Sequence, residues 1–151
     1  MRVWRICSRS HQAFDGAGAR RYGGRWNHPG APVVYTSGAL SLAALEYFVH
    51  VDPDIAPEHL IAISADIPQS AAIESIAPAD LPEGWRRYPA PDALQDIGTA
   101  WIKKGSMLVL AVPSALIPEE FNYLVNPAHR DFRRIRINKP APFHYDPRLW
   151  K

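Results

Sequence analysis

A glutamate on the apolar side of a helix is the residue in this sequence that most demands a chemical explanation. From Leu40 to Val51, apolar residues recur at three- and four-residue spacing through Leu42, Leu45, Phe48 and Val49, which predicts a helix. At about 100° per residue, Glu46 lies only about 40° around that helix from Leu42, on the side that faces the interior. A carboxylate in such a place must be paired, protonated or functional, because an isolated buried charge is strongly disfavoured. Two readings stand at this point: a structural ion pair with an arginine such as Arg5 or Arg25, and a role in chemistry.

Three further segments carry polar groups that suit a ligand. Gly23-Gly24-Arg25-Trp26-Asn27 sets a guanidinium, an indole and an amide beside two glycines, which let a ligand approach the backbone closely. Arginine grips a phosphate through two parallel hydrogen bonds, although a tight turn with the arginine lying on an aromatic ring explains the same residues. Tyr35, in Val33-Val34-Tyr35-Thr36-Ser37, ends a strand where the chain turns into the Glu46 helix. That is a pocket-lining position, and equally that of a core tyrosine with its hydroxyl satisfied. Ser114 follows Val112-Pro113 at a strand terminus, with Glu119, Glu120, Asn122 and Asn126 shortly after it; on its own such a serine is a turn or helix cap.

Other chemistries find less support. The six histidines show no His-Glu-x-x-His spacing and Cys7 has no second thiol, so no metal is expected. Gly16-Ala17-Gly18 lacks the third glycine and the preceding strand of a dinucleotide fingerprint, and no Gly-x-Ser-x-Gly elbow supports a serine hydrolase. Arg133, Arg134, Arg136 and Lys139 form a basic run that reads as a solvated strand face.

The elements that must position these groups are short. Val3 to Cys7, Val33 to Thr36 and His59 to Ile67 read as strands, and Met107 to Val112 as a central strand covered on both faces. Phe132 to Ile137 alternates as a later strand. Between the first two strands, Gly16, Gly18, Gly23 and Gly24 predict a flexible loop, a candidate lid or binding edge. Ser37 or Ser41 is expected to cap the Glu46 helix. Asp92 to Lys104 is the best-signalled helix, with Asp92 as its cap, two lysines in its last turn and Gly105 beyond. Ser70 to Pro91 is a proline-punctuated connection anchored by Trp85. Helices interleaved with strands imply an α+β domain, with a mixed β-sheet and flanking helices.

At 151 residues the chain suits one domain, expected over 1–151. Its 47% hydrophobic and 21% charged residues are those of a globular protein, which argues against disorder. A net charge of +2 is small for a dedicated nucleic-acid binder. The single cysteine rules out an internal disulfide. With a start, Met1-Arg2-Val3-Trp4-Arg5-Ile6, that lacks the apolar run of a signal peptide, a cytoplasmic location is expected. Trp4, Trp85 and Trp150 are core or interface residues, and a homodimer is compatible with them.

Taken in order, Gly23-Gly24-Arg25-Trp26-Asn27, Val33-Val34-Tyr35-Thr36-Ser37, Leu42-Ala43-Ala44-Leu45-Glu46, Val112-Pro113-Ser114 and Asn126-Pro127 resemble the RES-domain toxin family over almost the whole chain. The arginine, glutamate and serine for which that family is named match Arg25, Glu46 and Ser114, and its tyrosine matches Tyr35. The resemblance implies a relative of the ADP-ribosyltransferase fold that acts on NAD as substrate, degrading it or moving ADP-ribose to a protein. It also implies a partner, a helix-turn-helix antitoxin of the Xre type whose C-terminal part blocks the active site. In that setting Glu46 would stabilise the positive charge that develops on ribose, and Tyr35 would hold the nicotinamide ring. Arg25 would clamp the diphosphate with Arg5 as a second candidate, and Ser114 would hydrogen-bond ribose or nicotinamide with help from Asn122. The rivals are an RNA-cleaving toxin using Arg25, Tyr35 and Glu46, and a non-catalytic module binding nucleic acid through the basic run.

Overall fold

The computed structural model describes residues 1–150. Among them, eight strands and three α-helices occur in the order β1 (Arg2–Ser8), α1 (Ala17–Tyr22), β2 (Val34–Ser37), α2 (Leu40–Phe48), β3 (Leu60–Asp66), β4 (Ile73–Ser75), α3 (Asp92–Lys104), β5 (Val109–Pro113), β6 (Phe121–Val125), β7 (Arg136–Ile137) and β8 (Ala141–Phe143). They form one mixed sheet ordered β4-β5-β6-β2-β1-β3-β7, with β8 also pairing β3. The β4–β5 pair runs parallel and the other pairs antiparallel. The α+β architecture expected from interleaved strands and helices is what the chain adopts. No helix is long and apolar enough to cross a membrane among the described residues.

Cross-strand partners project to the same face, so the register divides the side chains cleanly. Val3, Cys7, Val34, Ile61, Ile63, Val109 and Val125 build one core together with Phe14 and Ile135. On the other face, Val33, Leu110, Val112 and Leu124 pack with Trp26, Leu94 and Trp101, which seats α3. Ile6, Leu60 and Ala62 on that same face receive Ala43 of α2. All five residues of β5 are buried, as a strand covered on both sides requires.

Several expectations are corrected. The helix α2 stops at Phe48, its N-cap is Ala39 with no side-chain bond, and Leu45 and Val49 point outward rather than into the core. Leu42 and Ala43 make its inner face, supplemented by Tyr47; the helix lies against β1 and β2, and Ala43 packs into the cluster of Ile6, Leu60 and Ala62. The N-cap of α3 is Pro91 rather than Asp92, which lies in the first turn instead. Phe132 does not begin a strand: residues Arg130–Arg134 form a 3-10 turn capped by His129, whose ring accepts from Asp131 N at 3.1 Å, and only Arg136–Ile137 pair with β3. The glycine-rich segment before β2 is no loose lid. It holds α1, and α3 clamps the turn at the end of that helix: Gln95 donates to Gly24 O and Asn27 O at 3.0 and 3.2 Å, and Thr99 accepts from His28 N at 2.9 Å.

Candidate active site

The polar residues singled out above converge where three adjacent strands end together. Ser37 closes β2, Asn122 lies at the start of the antiparallel β6 directly opposite it, and Ser114 follows the last residue of β5. Only Gly38 and Ala39 separate β2 from α2, so this helix begins at the same edge and carries Glu46 back over the strand ends. Glu46 sits one turn beyond buried Leu42, and its carboxylate turns toward Ser114 and Asn122.

Both of those residues donate to one oxygen. Ser114 Oγ reaches Glu46 Oε1 at 2.7 Å and Asn122 Nδ2 reaches the same atom at 2.6 Å. Among the described residues, Oε2 has no hydrogen-bond partner and Glu46 has no ion pair within 4.0 Å, so the structural ion pair with Arg5 or Arg25 is not formed. The carboxylate is thus fixed by two neutral donors that share one of its oxygens.

Ser114 is fully buried and its hydroxyl is committed. It donates its one proton to Glu46 and accepts from Leu116 N and Ile117 N, each at 3.1 Å. A hydroxyl offers one donor and two acceptor sites, so none remains for a ligand. In this arrangement the hydroxyl serves the carboxylate and the turn that follows it.

The turn from Gly23 to Asn27 stands beside this group, pinned by Tyr35. The Tyr35 hydroxyl donates to Asn27 Oδ1 at 2.6 Å and accepts from Trp26 N at 3.1 Å. Burial holds its phenol well above the ordinary tyrosine range, opposed by the bond from Trp26 N and the charge of Arg25. Gly24 makes this approach possible, since a Cβ there would stand 2.7 Å from the tyrosine hydroxyl. Asn27 is fully buried and its amide nitrogen serves Ala19 O, His28 O and Ala31 O at 2.9 to 3.1 Å; it is scaffold.

Arg25 projects from the turn into the same region. Its Nη1 donates to Trp85 O and Arg87 O, both at 3.0 Å, while Nε and Nη2 make no hydrogen bond among the described residues. Burial pushes its guanidinium down from the ordinary value, and the charge of Glu46, then of Tyr35 and Tyr88, works the other way. These groups therefore share one electrostatic neighbourhood. Trp85, expected as an anchor, packs against the core around Trp26 and Trp101. Arg86 ties the same segment to Ala115 O and Leu116 O at 2.9 and 3.4 Å, the residues that follow Ser114.

Arg5 does not join the group. It is paired with Ile63 of β3 and flanked by Val3 and Cys7, so it faces the opposite side of the sheet. Its guanidinium holds Ala13 O and His11 O at 2.9 and 3.4 Å. Of the basic run near the C-terminus, Arg136 pairs with Asp66 and Arg134 with Ser70 and Asp131, which leaves Arg133 and Lys139 as exposed cations without a partner among the described residues. Among the described residues no three His, Cys, Asp or Glu side chains gather as a metal site would require. Ser37 was missed as a site residue by sequence reasoning, which assigned it to a cap; its opposition to Asn122 across two strands is invisible without the register.

Comparison with known proteins finds relatives along the whole chain. The RES domain family model matches residues 2–146. A "Toxin Res" of Yersinia enterocolitica is 40% identical over 152 residues, covering 99% of each chain. The "Prs ADP-ribosylating toxin" of a Sphingobium strain is 38% identical, covering 97% of this chain and 94% of its own. Among solved structures, the M. tuberculosis MbcT–MbcA toxin–antitoxin complex contains a chain that superposes with a TM-score of 0.74 at 20% identity, over 99% of this chain and 86% of that one. This last likeness carries the fold, and the family match and the two relatives carry the membership: the chain belongs to the RES domain family.

Proposed function

We propose that this protein is the toxin of a toxin–antitoxin pair and that it cleaves the nicotinamide–ribose bond of NAD. The observation that carries the reading is the one-sided capture of Glu46, whose Oε1 takes both donors while Oε2 has no hydrogen-bond partner among the described residues, with Arg25 near enough to feel its charge. As the carbon–nitrogen bond breaks, its electron pair leaves with the nicotinamide nitrogen, which becomes neutral, and positive charge develops on the ribose. A carboxylate fixed in advance next to that charge stabilises the transition state more than the ground state. A neutral leaving group has little need of a general acid.

The remaining groups divide the substrate between them. Arg25, with Nε and Nη2 uncommitted, meets the diphosphate, and the ring of Tyr35 flanks the nicotinamide. Ser114 and Asn122 hold Glu46 rather than the substrate. The name of one relative, an ADP-ribosylating toxin, supports NAD as the substrate. The place of action is the cytoplasm, a reducing compartment that suits the lone thiol of Cys7. Water, phosphate or a protein side chain takes the ADP-ribose. The partner is an antitoxin of the Xre helix-turn-helix type whose C-terminal part blocks the site around Glu46.

Incubating the purified protein separately with NAD and with total RNA, followed by mass spectrometry of the products, tests this. Nicotinamide should accumulate in step with NAD loss while the RNA stays intact. Intact NAD with fragmented RNA would replace the proposal with the ribonuclease reading.

A further inference from the structure

We infer that Ser37 is a positioning residue for Glu46, acting through Asn122. The inference rests on the reading that Glu46 carries NAD cleavage, and its motive lies in the direction of the hydrogen bonds. Ser37 Oγ donates to Asn122 Oδ1 at 2.7 Å, and Asn122 Nδ2 donates to Glu46 Oε1 at 2.6 Å. Ser37 and Asn122 are register partners on β2 and β6, so their side chains leave the same face of the sheet side by side. Ser37 is buried, only 4% exposed, and its hydroxyl has no other partner among the described residues.

The chain of donors runs one way, toward the carboxylate. An asparagine amide has two nearly isosteric ends, and only the nitrogen end suits an ionised carboxylate, which accepts and cannot donate. In the reverse orientation Oδ1 would face Oε1 with no proton between them. The carboxylate therefore sets which end of the amide faces it, and the Ser37 hydroxyl, able to donate or accept, closes the other end by donating to Oδ1 and holds the amide in place. It also polarises the amide, strengthening the bond that Asn122 makes to Glu46. Ser114 completes the clamp on the same oxygen. The result is a carboxylate whose rotation is locked so that Oε2, and not Oε1, is presented to the sugar.

A double-mutant cycle separates this role from simple support of the fold. Removing Ser37 should lower kcat for nicotinamide release about tenfold, the size of one ordinary hydrogen bond, with KM within about twofold. If Ser37 works through Asn122, then Ser37→Ala combined with Asn122→Ala is no slower than Asn122→Ala alone. The side-chain amide protons of Asn122, followed by NMR, should shift in Ser37→Ala without substrate present. Ser37→Cys keeps the volume and weakens the donor, so it should give the same pattern should the alanine variant fold poorly. Additive losses in the double variant, unchanged kcat in Ser37→Ala, or unmoved Asn122 amide resonances would each overturn the role. Absence of NAD turnover in the wild-type protein would instead remove the functional reading, and the NMR comparison would still decide the positioning claim.

Discussion

Gly98 of α3 and Trp26 of the Gly23–Asn27 turn meet so closely that a Cβ on the glycine would fall 1.7 Å from the tryptophan carbonyl oxygen. No side-chain rotation relieves that overlap, because the neighbour is backbone. The helix therefore approaches the arginine-bearing turn through a position only glycine can fill, and Gln95 and Thr99 bond the same turn on either side of it. Gly98→Ala is expected to force α3 away from Trp26 and to cost at least ~1–3 kcal/mol, the range for overpacking. Thermal unfolding should show a melting temperature lower by several degrees. An unchanged melting temperature would mean that the helix is not seated on the turn.

Arg25 does two jobs that substitution can separate. Its Nη1 staples Trp85 O and Arg87 O, and under the proposed function its Nε and Nη2 meet the diphosphate. Lysine keeps the charge but loses the planar fork, so Arg25→Lys should weaken NAD binding about tenfold or more by calorimetry, and Arg25→Ala should weaken it further. Equal affinity in all three proteins would place the diphosphate elsewhere.

Stability should fall in acid through Asp66. Its carboxylate accepts from Arg2, Asn138 and Arg136, and these bonds hold its pKa well below the usual carboxylate range. A group with a depressed folded-state pKa contributes its full share above the unfolded value of about 3.9 and loses it as pH falls toward the folded value. Asp66→Asn should accordingly lower the melting temperature at pH 7, and the difference should be clearly smaller at pH 2. A difference that does not shrink between those pH values would exclude this linkage.

Strands β1, β2, β3 and β5 and the two long helices were legible because each rests on local pattern, whereas β4, β6 and β8 were not read. Arg25, Tyr35, Glu46, Ser114 and Asn122 each admitted a structural reading alone, and only the ordered resemblance to the RES-domain family grouped them. Leu42 and Glu46 share a helix side at any tertiary arrangement, and Met107 to Val112 had to be buried whatever covered it. The features that could not be read depend on distant pairing. Ser37 looks like a helix cap until β6 places Asn122 opposite it. Arg5 looks like a phosphate ligand until the register turns it to the other face. Leu45 and Val49 fit the apolar stripe of α2, yet the seat of Ala43 among Ile6, Leu60 and Ala62 turns them out to solvent. The glycines before β2 read as mobility, whereas Gly24 and Gly98 are there to admit close contact.

The charge of Glu46 is the centre of the account, and Glu46→Gln tests it most directly. The substitution keeps size and leaves an oxygen able to accept from Ser114 and Asn122, but removes the anion that the proposed mechanism sets against the ribose. With folding checked by circular dichroism, nicotinamide release from NAD under saturating substrate should fall by at least about a hundredfold, in line with the loss of a preorganised charge at a developing cation. Release at the wild-type rate from a folded Glu46→Gln protein would contradict the account.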